Sequence, residues 1–162
     1  MHYETKVTRI DADKGFVEAN SQSFEYDILI NTGHTDEIFG FKHGELGYSG
    51  RTIIPVVLPS KYAFDNPDYF WAHYSGKQPY TRAVDFKKVT NNESETCLLT
   101  LEMLSDETRL YPKQTARDLE MFDLYKNEFP SNYYALGRLG KFKYTGITDA
   151  IEQAMELSEE LG

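Results

Sequence analysis

Apolar and polar positions alternate like paired strands in the first third of the chain, strand-like runs recur as far as Met103, and the spacing changes to three and four residues after Tyr111-Pro112. The first regime predicts strands and the second helices. Val7 and Ile10, the turn Asp11-Ala12-Asp13-Lys14-Gly15, Phe16-Val17 and the run Phe24 to Ile30 have the form of a β-meander. From Asn31 to Gly50, glycines at 33, 40, 44, 47 and 50 interrupt any periodicity. A long loop or a set of short turns is expected there, of the length at which loops tend to be functional. Strand-like runs resume at Thr52 to Leu58, Tyr69 to Tyr74, Tyr80 to Val84 and Thr96 to Met103, separated by the turn Ser75 to Pro79 and the polar loop Thr90 to Glu95. Ala116, Leu119, Phe122, Tyr125 and Phe129 then recur at helical steps, with Asp118, Glu120, Asp123 and Lys126 on the other face. A second amphipathic helix is expected from about Thr148 to Leu161, with Ile147, Ile151, Ala154, Met155 and Leu161 on one stripe. Thr148 is its expected N-cap, and Asp149 lies in the first turn, where the helix dipole favours an acid. The pattern predicts one α+β domain over residues 1–162, a mostly antiparallel sheet of about six strands with two amphipathic helices against it.

Composition narrows the function. With 40% hydrophobic residues the chain can bury a core, and its 162 residues are too few for two full-sized catalytic domains. Seventeen Lys and Arg against 26 Asp and Glu leave a net charge of −9, which repels a phosphate backbone and argues against nucleic acid as a partner. The opening MHYETKVTRI lacks the basic and apolar regions of a secretory signal, and the longest apolar run, Ile53 to Leu58, is far short of the roughly 20 residues that span a bilayer. A cytoplasmic protein without a membrane partner is expected. Cys97, the only cysteine, has no partner for an internal disulfide and reads as a core thiol. The histidines at 2, 34, 43 and 73 show no metal-ligand spacing, so no metal site is expected. Neither a P-loop nor Gly-x-Gly-x-x-Gly occurs.

Two stretches carry candidate chemistry. Gly137-Arg138-Leu139-Gly140-Lys141-Phe142-Lys143-Tyr144-Thr145-Gly146 packs three glycines, cations and aromatics between the strand-like run Tyr133 to Leu136 and the last helix. Glycine turns let backbone approach a ligand, and a helix start aims unpaired N–H groups at negative charge. An ordinary turn with solvated cations would read the same way. Arg82 sits in a strand after a proline turn, where a guanidinium must meet a carboxylate or a phosphate because it cannot lose its charge. Tyr111-Pro112 at a strand-to-helix joint is equally consistent with packing.

Taken in order, these words resemble the C-terminal half of the UDP-galactopyranose mutase family. The matching elements are Tyr26-Asp27-Ile28-Leu29-Ile30-Asn31-Thr32-Gly33 with Asp36, Leu46-Gly47-Tyr48, Pro79-Tyr80-Thr81-Arg82, Tyr111-Pro112 and Gly137-Arg138-Leu139-Gly140-x-Phe142-x-Tyr144. The resemblance implies interconversion of UDP-galactopyranose and UDP-galactofuranose on reduced FAD, whose N5 forms an adduct with the sugar in the biosynthesis of cell-surface polysaccharide. It implies that Arg82 is the active-site arginine near flavin and diphosphate, and that Tyr111 and Tyr144 bind phosphate oxygens. Gly137, Arg138, Leu139 and Gly140, with Gly146 and Ile147 at the last helix start, would contact the flavin.

The chain departs from the family pattern after Tyr144, where Gly146, Ile147 and Thr148 replace an acidic-Met-acidic run, and at Phe142, where a tyrosine is common. It also lacks the glycine fingerprint of the N-terminal dinucleotide-binding fold. The expectation is therefore a segment inactive alone for want of the FAD-binding half, with that half or a second copy as partner beside a UDP-sugar. The alternatives are a non-catalytic module binding a nucleotide sugar or a partner chain, and part of an amine-oxidase-type flavin oxidoreductase.

Overall fold

Ten strands and five helices are formed in a computed structural model that describes residues 2–12, 14–66 and 68–162. They divide between two units, Met1–Tyr48 with Tyr111–Gly162, and Ser49–Leu110. The α+β class and the predominance of antiparallel pairing are borne out, with the strands distributed over three sheets.

In the first unit, β1 (Val7–Asp11), β2 (Phe16–Ala19) and β3 (Gln22–Glu25) form the expected antiparallel meander. The third strand ends earlier than its apolar pattern suggests. The Tyr26 N–H closes the meander on the Gly15 carbonyl, and the following residues leave it. They form β4 (Leu29–Asn31), which pairs in parallel with β10 (Tyr133–Ala135). The Leu29 N–H donates to the Asn132 carbonyl and the Leu136 N–H to the Asn31 carbonyl. The Asn31 amide, buried, donates to the Tyr133 hydroxyl at 2.7 Å and accepts from the Gly33 N–H at 2.8 Å, so the strand end is pinned by side-chain bonds as well.

The glycine-rich loop contains one helical turn, α1 (Thr35–Ile38). It is drawn inward by Asp36, fully buried, whose carboxylate accepts the Leu46 N–H at 2.9 Å. Leu46 thereby joins Tyr48, Tyr125 and Phe142 in the core of this unit. Helix α3 (Ala116–Lys126) is capped by the Thr115 hydroxyl, which accepts from the Asp118 N–H. Asp118, expected on the solvent face, is buried instead, because its carboxylate accepts the Gly47 N–H at 3.0 Å and the Thr115 hydroxyl at 2.7 Å. Burial works to raise its pKa, but these bonds outweigh it and hold the carboxyl below the usual range. Leu119, expected on the packed stripe, is 42% exposed, while Tyr125 is wholly buried.

One turn, α4 (Gly137–Gly140), separates β10 from the last helix, α5 (Ile147–Leu161). Its N-cap is Gly146, not Thr148: the Asp149 carboxylate accepts the Gly146 N–H at 3.2 Å and closes the first turn from inside the helix. The expected apolar stripe does not pack. Ile147, Ile151 and Met155 are 84%, 57% and 62% exposed; of the expected stripe only Leu161 is partly covered, and the other less exposed positions are Ala150, Gln153 and Leu157.

The second unit is built on β5 (Tyr48–Pro59), which enters it from the first, β6 (Trp71–His73), β7 (Tyr80–Asp85) and β8 (Thr96–Ser105). Their order is β6-β7-β8-β5, all antiparallel. Helix α2 (Phe86–Thr90) is capped by Asp85, whose carboxylate accepts from the Lys87 N–H at 3.1 Å and the Phe64 N–H at 3.2 Å. Cys97 is buried in the sheet, as a core thiol should be. No helix among the described residues is long and apolar enough to cross a membrane.

Candidate functional site

In the first unit the sequence-predicted residues Tyr111, Arg138 and Tyr144 come together. Tyr111 lies on β9 (Tyr111–Pro112), a two-residue strand anchored where the Lys113 N–H donates to the Gly47 carbonyl at 2.9 Å. Arg138 projects from α4, with its guanidinium carbon 4.5 Å from the centre of the Tyr111 ring. On Tyr111 the Tyr144 ring is stacked as well, 6.1 Å between centroids and 23° between planes. The product is a cation and two phenols in one stack. Among the described residues no carboxylate pairs with Arg138, and Tyr144 is 65% exposed.

The glycines explain how the stack is placed. At Gly137 the backbone has φ +68°, and a Cβ there would meet open space, so the turn is available to an approaching group. Gly140 differs: a Cβ would stand 2.4 Å from the Asn31 carbonyl oxygen, so only glycine allows α4 to press on β4. The Thr35 hydroxyl donates to the Gly140 carbonyl at 2.7 Å and fastens the contact. Leu139 packs against the core, and Phe142, completely buried at φ +46°, sits edge-on to Tyr48 and stacked on Phe122. The chain between these anchors has one course, and it leaves Tyr144 outside. Gly146 and Ile147 start α5, with the Ile147 side chain in solvent. A groove of about 460 Å³ between α3, β10 and α5 takes in none of the predicted site residues.

Arg82 belongs to the second unit. It lies on β7 beside an irregularity in the register between Tyr80 and Arg82, and its Nη2 donates to the Glu102 Oε1 of β8 at 2.6 Å. The register aligns His73, Arg82, Glu102 and Ile53 across four strands on one face. The next row on that face is Trp71, Val84, Thr100 and Pro55. Glu102 is buried, whereas the Arg82 side chain is 42% exposed. Sequence reasoning did not single out Glu102, although an acid between Leu101 and Met103 in an apolar strand is the partner that an arginine on the adjacent strand requires.

The sequence model of the UDP-galactopyranose mutase family matches residues 2–144, most of the chain and every element just described up to Tyr144. The chain belongs to the UDP-galactopyranose mutase family. A solved structure of reduced UDP-galactopyranose mutase shares its fold, with a TM-score of 0.64 and 17% identity over 86% of the chain. The chain spans 41% of the length of that mutase. No curated protein sequence matches it significantly. The family match ends at Tyr144, so α5 lies beyond the matched residues. Among the described residues no group of three His, Cys, Asp or Glu side chains could hold a metal ion.

Proposed function

We propose that the chain supplies the diphosphate-directed residues of a UDP-galactopyranose mutase, the enzyme that interconverts UDP-galactopyranose and UDP-galactofuranose. The observation that carries this reading is the stack of Arg138, Tyr111 and Tyr144, a cation without an acid partner among the described residues beside an exposed phenol. Such a set favours a polyanion over an amine, which would call for an aromatic cage free of positive charge. In the second unit, Arg82, held by Glu102, presents a guanidinium that also suits a phosphate. These residues bind and orient the substrate and neutralise its charge.

The residues also fit FAD. The open left-handed turn at Gly137 admits a planar or phosphate-bearing group to the backbone, and Arg138 stands next to it. At the start of α5 the Gly146 N–H is taken by the Asp149 carboxylate, which leaves the Ile147 N–H at the helix N-terminus for an anionic group. When bound, reduced FAD supplies the nucleophilic chemistry at the anomeric carbon of the sugar. A dinucleotide-binding half is the natural partner. Parallel pairs are normally covered on both faces, yet the strand pair β4–β10 leaves Ile30 46% exposed and α5 leaves Ile147, Ile151 and Met155 outside.

Calorimetric titration of the chain with UDP at low salt tests the reading, because UDP needs no flavin. Saturable binding that weakens in Arg82→Ala and in Tyr144→Phe is expected, by about tenfold for the arginine, whose charged hydrogen bonds contribute about 1.5–3 kcal/mol. Unchanged affinity in both folded variants would remove the site assignment.

A further inference from the structure

The face of the second unit's sheet that holds Arg82 and Glu102 also carries two exposed side chains that neither the motifs nor the diphosphate reading uses. Trp71 and His73 lie on β6, two residues apart and so on one face, with ring centroids 4.6 Å apart and planes tilted by 48°. His73 is the cross-strand neighbour of Arg82, and Trp71 that of Val84, so the indole lies one row from the Arg82–Glu102 pair on the same face. Trp71 is 44% exposed and His73 is exposed too. Along the same strand a cleft of about 430 Å³ is lined by residues from Asp68 to His73, with Tyr69 and Phe70 52% and 45% exposed. Trp71 thus belongs to a contiguous exposed aromatic stretch with Tyr69 and Phe70, and a patch of this kind marks a candidate binding surface.

We propose that Trp71 and His73 form the sugar-recognising part of this surface: the indole takes the apolar C–H face of a hexose, and His73 hydrogen-bonds its hydroxyl edge. The inference rests on the nucleotide-sugar reading above and adds to it which part of the ligand the face selects. The chemistry suits a sugar better than a bare phosphate. A hexose has one apolar face and a polar rim, which match an exposed ring flanked by a hydrogen-bonding imidazole and a guanidinium already fixed by Glu102. A diphosphate alone would gain nothing from the indole.

Trp71 is the only tryptophan of the chain, so its fluorescence reports on this face alone. The test titrates the chain with UDP-galactose and with UDP, following Trp71 emission and, in parallel, heat. UDP-galactose should change the emission where UDP does not, and should bind several-fold more tightly. In Trp71→Ala that preference should fall roughly three- to tenfold, to near unity, while UDP affinity stays as in the parent. Trp71→Phe should keep most of the preference, and His73→Ala should lose part of it; circular dichroism shows that each variant is folded. Equal affinities for the two nucleotides, or a preference unaltered in folded Trp71→Ala, would overturn the sugar assignment and leave the nucleotide reading standing. Failure of the folded parent to bind either nucleotide would overturn both.

Discussion

Replacing Asp118 with asparagine should cost stability that depends on pH in one direction only. The buried carboxylate receives two hydrogen bonds, from the Gly47 N–H at 3.0 Å and from the Thr115 hydroxyl at 2.7 Å. Bonds to a charged acceptor contribute about 1.5–3 kcal/mol each and bonds between neutral groups about 0.5–1.5, so loss of the charge with the shape retained removes about 1 kcal/mol per bond. The expected difference is about 2 kcal/mol at neutral pH, roughly 4–8 °C in melting temperature for a chain of this size. The carboxyl's folded pKa is held below its unfolded value near 3.9, so its contribution is fully present above that value and is lost as the pH falls through the folded one. Urea denaturation of both proteins, followed by the helical dichroism to which α3 and α5 contribute, reads the difference at pH 7 and again near pH 2. A gap of about 2 kcal/mol that closes in acid is the expected result. A gap of the same size at both pH values, or none at pH 7, would refute the argument that charged hydrogen bonds hold this helix start to the Gly47 loop.

Two further substitutions test the geometry of the site. Gly140→Ala places a methyl group 2.4 Å from a backbone oxygen of β4 and should destabilise the first unit by about 1–3 kcal/mol, measured in the same denaturation experiment; a neutral substitution would mean that α4 does not press on β4. Glu102→Gln removes the charge that offsets Arg82 and should tighten UDP binding several-fold at low salt with a steeper salt dependence, read by calorimetry at two ionic strengths; weaker binding would mean that Glu102 serves Arg82 chiefly by holding it in place.

The strands of the second unit were legible because each contains a run of alternating or apolar residues, although β5 starts at Tyr48, inside the stretch expected to be loop, and the pairing β7–β8 follows from their adjacency. The boundary between β3 and β4 was not. Phe24 to Ile30 is one continuous strand pattern, and only the long-range hydrogen bonds to Asn132 and Leu136 divide it between two sheets. Similarly, Asp118 carries the spacing of a solvent-facing acid, and what buries it is an N–H from Gly47, far away in sequence. Periodicity sees neither. The stack of Arg138, Tyr111 and Tyr144 was reached through motif resemblance, and its geometry depends on a packing requirement, the absence of a Cβ at Gly140, that a run of glycines only hints at. Glu102 and Trp71 were invisible for a different reason: their meaning comes from the register that sets them beside Arg82 and His73.

The two arginines are not equivalent sources of charge, and under the proposed reading they would contribute differently, each in its own unit. Arg82 is already paired with a carboxylate at 2.6 Å, so a diphosphate arriving there would have to share or displace Glu102 and would gain mainly directional hydrogen bonds. Arg138 has an aromatic ring beneath it and no acid partner among the described residues, so its charge is uncompensated. A cation stacked on a tyrosine is held in orientation without losing its field, which is the arrangement that both attracts an anion and fixes where it docks. Under that reading Arg82 would contribute mostly to geometry, and Arg138 to electrostatic attraction.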